Sequence, residues 1–117
     1  MALSKSEIFA AIDAKTIEVD VPEWGGSILL RCMTGSCRNE YEYWASQQVK
    51  EDVPDYRGIR ERLIIYCAVD GNGKQLFEES DLAELGAKNS EVIDRIHAKC
   101  QQLCGMSEES IEEAEKN

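Results

Sequence analysis

Two long apolar patterns in the second half of the chain restrict its fold more than any other feature. From Val92 to Cys104 apolar residues recur at a helical period for almost four turns, and Gly105 then ends the pattern. A second stripe begins at Ile59, and its extra apolar positions widen it to more than one helix face. These positions are Ile59, Leu63, Ile64, Ile65, Tyr66, Cys67 and Ala68. The patterns predict a helix after a cap at Asn89 or Ser90, and a central helix from about Arg57 to Val69.

The stretch from residue 16 to 33 has a different period. Ile17, Val19 and Val21 alternate with polar residues, which is typical of a half-buried strand. Pro22 ends this strand, a turn with two glycines follows, and Ser27–Met33 is again apolar. The sequence therefore predicts a short β-hairpin here.

Three shorter helices complete the predicted elements. The first runs from about Ser6 to Ala14 behind a capping box of Ser4 and Glu7. The others are a helix from Arg38 to Lys50, capped by Ser36, and a short one to Lys88, opened by a capping box of Asp81 and Glu84. We predict a mainly α fold of the α+β class, a small helical domain with a short N-terminal hairpin. It comprises one globular domain over 1–106 and an acidic, weakly helical tail over 107–117.

The charge balance restricts the partners. The chain has 13 basic and 23 acidic side chains, a net charge of −10. Such a surface repels phosphate backbones and anionic lipids, so neither a nucleic acid nor a membrane is expected as a partner. Apolar stretches such as Leu63–Val69 are too short to span a bilayer, and the N-terminus does not resemble a secretory signal. Composition therefore indicates an acidic intracellular protein.

The chain has five cysteines, at positions 32, 37, 67, 100 and 104. An odd number without a secretory signal disfavours a disulfide framework, so we expect reduced thiols that act as small core residues. A four-thiolate zinc site of Cys32, Cys37, Cys100 and Cys104 is the alternative. Its spacings differ from those of the usual zinc knuckles, in which two residues separate each pair.

No motif for catalysis is found. His97 is the only histidine, so a Ser-His-Asp or Cys-His system would have to use it, yet a solvated histidine beside an apolar helix face is the preferred interpretation. The stretch Asp70–Lys74 resembles the start of a calcium loop, but Lys74 and Gln75 occupy positions five and six. We predict no catalytic, cofactor-binding or metal-binding residues, and no cofactor.

Three segments give the second half of the chain a distinctive order. They are Asp70-Gly71-Asn72-Gly73-Lys74-Gln75-Leu76-Phe77, Leu103-Cys104-Gly105-Met106-Ser107 and Glu112-Glu113-Ala114-Glu115-Lys116-Asn117. In this order, over about residues 57–117, the sequence resembles the tail assembly chaperones of long-tailed bacteriophages and prophages. The pieces that match are a D-x-x-G-K-x-L-F turn, an L-x-G-L/M-S helix end and the terminal E-E-A-E-K-N.

The resemblance implies a non-enzymatic role in the cytoplasm of the host bacterium. Such proteins bind the tape measure protein, keep it soluble and help tail-tube subunits to polymerise around it, and they are absent from the mature virion. The resemblance also implies a mostly helical, self-associating protein, hence a homo-oligomer. These chaperones are commonly made in two forms. The longer form arises by ribosomal frameshifting near the end of the short reading frame. This longer, fused form is the one expected to bind the tail-tube protein.

Two apolar faces are candidates for client binding, one with Tyr41 and Trp44 and the other with Ile59 and Leu63. A chaperone for an aggregation-prone helical client needs such a surface on a strongly charged body. For each face, packing into the core is the preferred interpretation.

The last three residues, Glu115, Lys116 and Asn117, are where the resemblance places the frameshift. They can be encoded as GAA-AAA-AAC, which contains the run A-AAA-AAC on which a ribosome can slip back one nucleotide. A polar chain end is also a place where an added domain disturbs no core. Two other functions stay open: an acidic DNA-mimic inhibitor, and a virion component such as a head-tail joining protein.

Overall fold

The structure is a computed structural model that describes residues 1–106 of the chain. Five helices are present in this range: α1 (Lys5–Ala10), α2 (Gly35–Ser46), α3 (Ile59–Cys67), α4 (Leu82–Gly86) and α5 (Ser90–Leu103). Five strands accompany them: β1 (Thr16–Val21), β2 (Gly26–Arg31), β3 (Val49–Lys50), β4 (Val53–Pro54) and β5 (Ala68–Val69). The predicted α+β class with an N-terminal hairpin is confirmed. The proposed tail over 107–117 lies outside the described residues.

The predicted hairpin is confirmed, and it gains a third strand that the sequence analysis missed. β1 pairs with β2 in antiparallel register from Thr16 opposite Arg31 to Val21 opposite Gly26. A 3₁₀ turn over Pro22–Trp24 joins the two strands. β5 then adds to the other edge of β2. The central helix therefore ends at Cys67 and not at Val69, since the last two residues of its apolar run are extended and complete the sheet.

The core lies between this sheet and the helices α3 and α5. α3 contributes three consecutive fully buried residues, Leu63, Ile64 and Ile65. α5 buries the predicted stripe, with Ile96 and Cys100 at 0% exposure. Asn89 caps α5 through its side chain, which accepts a hydrogen bond from the Glu91 N–H at 2.8 Å. The predicted buried faces of both long helices are therefore correct except at Ile59, Tyr66 and Leu103, which are half-buried.

Helix α2 differs from its prediction at both ends. The Thr34 hydroxyl accepts a hydrogen bond from the Cys37 N–H at 3.1 Å, so Thr34 is the cap and the predicted cap Ser36 lies inside the first turn. The helix ends at Ser46, because β3 and β4 form a small hairpin in place of its last turn. Two acidic residues at the turn of this hairpin, Glu51 and Asp52, adopt positive φ angles.

The segment between α3 and α5 is a turn followed by a short helix. The Asp70 carboxylate accepts hydrogen bonds from the backbone N–H groups of Asn72 and Lys74, at 2.8 and 3.0 Å. These two bonds close the predicted turn, so the Asp70 carboxylate is used within the turn itself. The predicted Asp81–Glu84 capping box is wrong, because the Asp81 carboxylate instead accepts from the Glu78 N–H at 2.8 Å.

The first helix forms as its local signals predict but ends earlier. Ser4 and Glu7 make a reciprocal capping box: the Glu7 N–H donates to the Ser4 hydroxyl, and the Ser4 N–H donates to the Glu7 carboxylate. The chain becomes extended at Ala11, so α1 stops at Ala10 rather than at Ala14. No residue of α1 is buried. We call residues 1–14 the N-terminal arm.

Candidate functional site

The structure separates the four residues that the sequence analysis put forward for client binding. Leu63 is fully buried in α3, and Tyr41 is only 6% exposed. In this conformation neither offers a surface to a partner, and both pack into the core. Trp44 and Ile59 are half-buried and reach the surface. The neighbouring Tyr43, which the sequence analysis did not single out, is 68% exposed.

Tyr43 and Trp44 line a groove between α2 and α3 that we call the aromatic groove. It encloses about 560 Å³. Its lining residues are Asn39, Glu40, Tyr43, Trp44, Gln47, Arg62, Tyr66 and Glu79. Arg62 and Tyr66 are four residues apart, so they share one face of α3, opposite the buried one. The floor is therefore aromatic, and the rim holds one basic and two acidic side chains.

Arg62 organises this groove. Its guanidinium lies over the Trp44 ring, 4.8 Å from the centroid, and its Nη2 donates to the Glu79 carboxylate at 2.7 Å. The Arg62 side chain is only 12% exposed, so its stacking on Trp44 is shielded from water, whereas its ion-pair partner Glu79 is 69% exposed. Its Nε is buried without a hydrogen-bond partner among the described residues. The Tyr66 ring packs edge-on against buried Tyr41, with centroids 6.2 Å apart. This contact holds the Tyr66 side chain in position in the groove.

A second depression lies at the closed end of the β1–β2 hairpin, and we call it the tip pocket. It encloses about 450 Å³. Trp24, Phe77 and Leu85 form its apolar part, while Asp81, Glu84 and Lys88 form its polar part. An ion pair between Glu23 and Arg95, at 2.7 Å, ties the hairpin tip to α5 beside it. The sequence analysis assigned Trp24 to a turn and did not identify this pocket.

The N-terminal arm exposes an unusual amount of apolar surface. Its apolar side chains and their exposures are Met1 122%, Leu3 63%, Ile8 52%, Phe9 79% and Ile12 96%. Five exposed apolar side chains within twelve residues are more than the scattered single ones that are normal on a protein surface. The sequence analysis found the apolar spacing of this segment but treated it as an ordinary helix.

The cysteines gather where α5 ends. The Cys67 and Cys104 sulfurs are 3.8 Å apart, and Cys104 Sγ accepts from the Met33 N–H at 3.4 Å. Hydrogen bonding with Cys100 and burial raise the pKa of the Cys67 thiol far above its usual value. Hydrogen bonding with Cys67 and burial do the same to the pKa of Cys104. All five thiols are free in the structure. Thiols that stay protonated pack as apolar groups and are poor metal ligands.

The remaining candidates from the sequence are metal ligands, His97, a membrane-spanning helix and the C-terminal residues. Within residues 1–106, no cluster of three or more His, Cys, Asp or Glu side chains has an arrangement that suits a metal ion. His97 is half-buried on α5 rather than solvated, and burial and the nearby Arg60 lower its pKa. No helix in the described part of the chain has the length and apolar character needed to cross a membrane. The frameshift-adjacent residues Glu115, Lys116 and Asn117 lie outside the described residues.

Comparisons with known proteins add two findings. A protein-family model described as phage tail assembly chaperone matches residues 3–117. Among solved structures, the tail assembly chaperone of bacteriophage HK97 aligns with a TM-score of 0.59 and 19% sequence identity, over 86% of this chain and 98% of that chain. At this identity the structural likeness concerns the fold alone. The search of proteins with curated functions returned no match.

Proposed function

Because this chain belongs to the phage tail assembly chaperone family, we propose that it binds the tape measure protein and promotes assembly of the tail tube around it. The family is one of assembly chaperones that act during tail assembly in the host cell, and it is not known as a class of enzymes. The match over residues 3–117 is the observation that carries the proposal, because it extends over nearly the whole chain.

The aromatic groove is the surface that we assign to the client. A groove between two helices accepts the apolar face of an amphipathic helix, which is the form expected of a long helical client. Aromatic side chains give large contact areas with few rotatable bonds, and they dominate many binding interfaces. Of the residues first put forward, Trp44 lies in this groove, and Tyr41 supports it through Tyr66. Ile59 lines a separate depression beside Tyr56 and His97.

Tyr43 offers the sharpest test, because its side chain is 68% exposed and its loss should not disturb folding. We expect Tyr43→Ser to weaken client binding about tenfold, since an aromatic side chain at the centre of an interface is often worth more than 1 kcal/mol. The matched control is Tyr56→Ser, which removes a tyrosine that is 63% exposed and lies outside the groove. The measurement is the amount of tape measure protein that stays soluble and co-purifies after co-expression.

Two results would count against the proposal. If the tape measure protein is equally soluble without this protein, the proposed chaperone role is wrong. If Tyr43→Ser and Tyr56→Ser behave alike, the client binds elsewhere on the protein.

The finer parts of the proposal are a homo-oligomer, a longer fused form that reaches the tail-tube protein, and absence from the mature virion. Reading the gene tests the fused form: codons for Glu115–Asn117 that interrupt the adenine run, or a closed −1 frame downstream, would remove it. Mass spectrometry of purified virions tests the last part, because a head-tail or tail structural component would be found there in stoichiometric amounts.

A further inference from the structure

We propose that the aromatic groove selects a basic segment: a lysine or arginine beside the apolar face of the client helix, with its cation held by Tyr43 and Glu40. The inference rests on the proposed function, in which the groove receives the client, and it adds the chemistry that the groove selects. Glu40 and Tyr43 are three residues apart, so they are neighbours on the face of α2 that lines the groove. Both side chains are exposed.

The groove already holds one cation, which belongs to the chain itself. The Arg62 guanidinium lies 4.8 Å from the centroid of the Trp44 ring and donates to the Glu79 carboxylate at 2.7 Å. An aromatic ring and a carboxylate both stabilise a cation placed against them. Tyr43 and Glu40 supply the same two groups next to this arrangement, yet Glu40 forms no ion pair within residues 1–106. A cation from the client would complete a second arrangement of the same kind.

The charge around the groove favours a basic ligand. Burial raises the pKa of Tyr66, Arg62 opposes this rise, and the charges of Glu79 and Glu40 raise the pKa further, so both carboxylates act on this side chain of the groove. Arg62 balances one of the two negative charges, and that of Glu40 is left over. The net charge of −10 on the whole chain adds to the attraction for a basic segment.

Lysine and arginine also have the shape that this position requires. Their long alkyl stems cover apolar or aromatic surface while the charged end stays at the water-exposed rim. The groove encloses about 560 Å³. Pockets of this size enclose a drug-sized ligand, so the groove accommodates a few side chains from one face of a helix, while the helix backbone stays outside it.

An acidic client residue is the alternative ligand, and it would have to use Arg62. The Arg62 side chain is only 12% exposed and is already paired with Glu79. A client carboxylate would therefore have to displace Glu79 and would also meet the negative charge of Glu40. Both requirements disfavour an acidic ligand relative to a basic one.

The test uses two designed helical peptides that share the same length and the same leucine face. The polar positions are lysine in one peptide and glutamate in the other. In a Trp24→Phe background, the fluorescence of Trp44 reports binding to the groove of the full chain. The lysine peptide should bind at least about tenfold more tightly than the glutamate peptide. Its affinity should fall as salt is added, since the attraction is electrostatic.

A matched pair of charge reversals locates the cation. Glu40→Lys should weaken binding of the lysine peptide about tenfold, because an attraction at the contact becomes a repulsion. The control is Glu84→Lys, which changes the net charge equally at an exposed residue outside the groove. At about 0.15 M salt, where distant charges are screened, the control should change the affinity less than about twofold. Glu40→Lys should also improve binding of the glutamate peptide.

Substitutions of Tyr43 test the aromatic contact separately from the charge. Tyr43→Phe keeps the ring and should bind the lysine peptide within about twofold of the wild type. Tyr43→Leu keeps an apolar side chain without the ring and should weaken binding about fivefold. Circular dichroism spectra like that of the wild type would show that the variants are folded.

Four results would overturn the inference: binding of neither peptide, equal binding of both, preference for the glutamate peptide, or the same affinity for Glu40→Lys and Glu84→Lys. Failure of the proposed function gives a different result, since the peptides replace the client. If the lysine peptide binds as expected while the tape measure protein is equally soluble without this protein, the selectivity of the groove stands and the chaperone role is rejected. If Tyr43→Ser releases the tape measure protein but Glu40→Lys changes neither its retention nor peptide binding, only the selectivity is rejected.

Discussion

Helix α5 and the N-terminal arm have the same kind of apolar spacing but opposite environments. In α5, Ile96 follows Val92 by four residues, and both are buried. In the arm, Ile12 follows Ile8 by four residues, and both are exposed. Both helices have side-chain N-caps, so the difference does not arise from local signals. The spacing of apolar residues shows which face of a helix is apolar. Whether that face is buried depends on whether another element packs against it.

The length of each helix is part of the reason. α5 has 14 residues and packs along both α3 and the sheet, while α1 has six and contacts neither to a comparable extent. Two exposed ion pairs also join α5 to its neighbours, from Arg60 to Asp94 at 2.9 Å and from Glu23 to Arg95, and such pairs add little stability. A six-residue helix in water is unstable without tertiary contacts, so α1 depends on its capping box and on whatever covers it.

The largest expected effect comes from a matched pair of isoleucines. Ile96→Ala should lower the free energy of unfolding by about 2–5 kcal/mol, since it leaves a cavity at a site with 0% exposure. Ile12→Ala removes the same atoms at 96% exposure and should change it by less than about 0.5 kcal/mol. Urea unfolding followed by circular dichroism measures both. Equal losses for the two variants would show that the arm is part of the core.

A second, pH-dependent effect should be confined to the core. Cys67 and Cys104 have raised pKa values in the folded chain and ordinary ones near 8.5 when unfolded. Their contribution to stability is therefore complete below about pH 8.5 and is lost as the pH rises above it, at up to about 1.4 kcal/mol per pH unit for each thiol. Cys67→Ala with Cys104→Ala should make the fall in unfolding free energy between pH 8 and 10 shallower. An unchanged slope would mean that the two thiols ionise freely in the folded state.

The smallest expected effect comes from removing two N-caps, each of which accepts a backbone hydrogen bond through a side-chain hydroxyl. Thr34 caps the packed helix α2, and Ser4 caps the unpacked helix α1. Thr34→Ala should cost about 1 kcal/mol of global stability. Ser4→Ala should leave the global unfolding free energy unchanged while reducing the helical NMR chemical shifts of residues 5–10. A global loss from Ser4→Ala would indicate that α1 is packed in solution.

Much of the fold was predictable from local patterns. The β1–β2 hairpin, the buried faces of α3 and α5 and the turn at Asp70 follow from periodicity and from turn residues, which are read within one segment. The end of α3 was not predictable in this way. Ala68 and Val69 fit its helical stripe, and they became a strand because β2 offered an unpaired edge. The cap at Thr34 was missed for a related reason: several polar residues in this stretch can cap, and the packing of the helix selects one.

The candidate site was predicted less well than the fold. The helical stripe correctly grouped Tyr41 with Trp44 but could not show that Tyr41 is buried and that the neighbouring Tyr43 faces solvent. The aromatic groove joins α2, α3 and a 3₁₀ turn at Glu79, which are separated by up to about forty residues in sequence. No local pattern links Trp44 to Arg62 or Arg62 to Glu79, because such contacts arise only when the elements pack.

The class of fold, the family, the acidic surface and the positions of the main apolar faces can all be inferred from the residues in their order along the chain. These properties depend on composition, on order along the chain and on periods of two and 3.6 residues. Which apolar faces are covered, where the groove and the pocket form, and which thiols gather at the end of α5 are known only from the folded chain. Those outcomes depend on long-range packing, in which the same apolar residue is buried or exposed according to the surface that lies opposite.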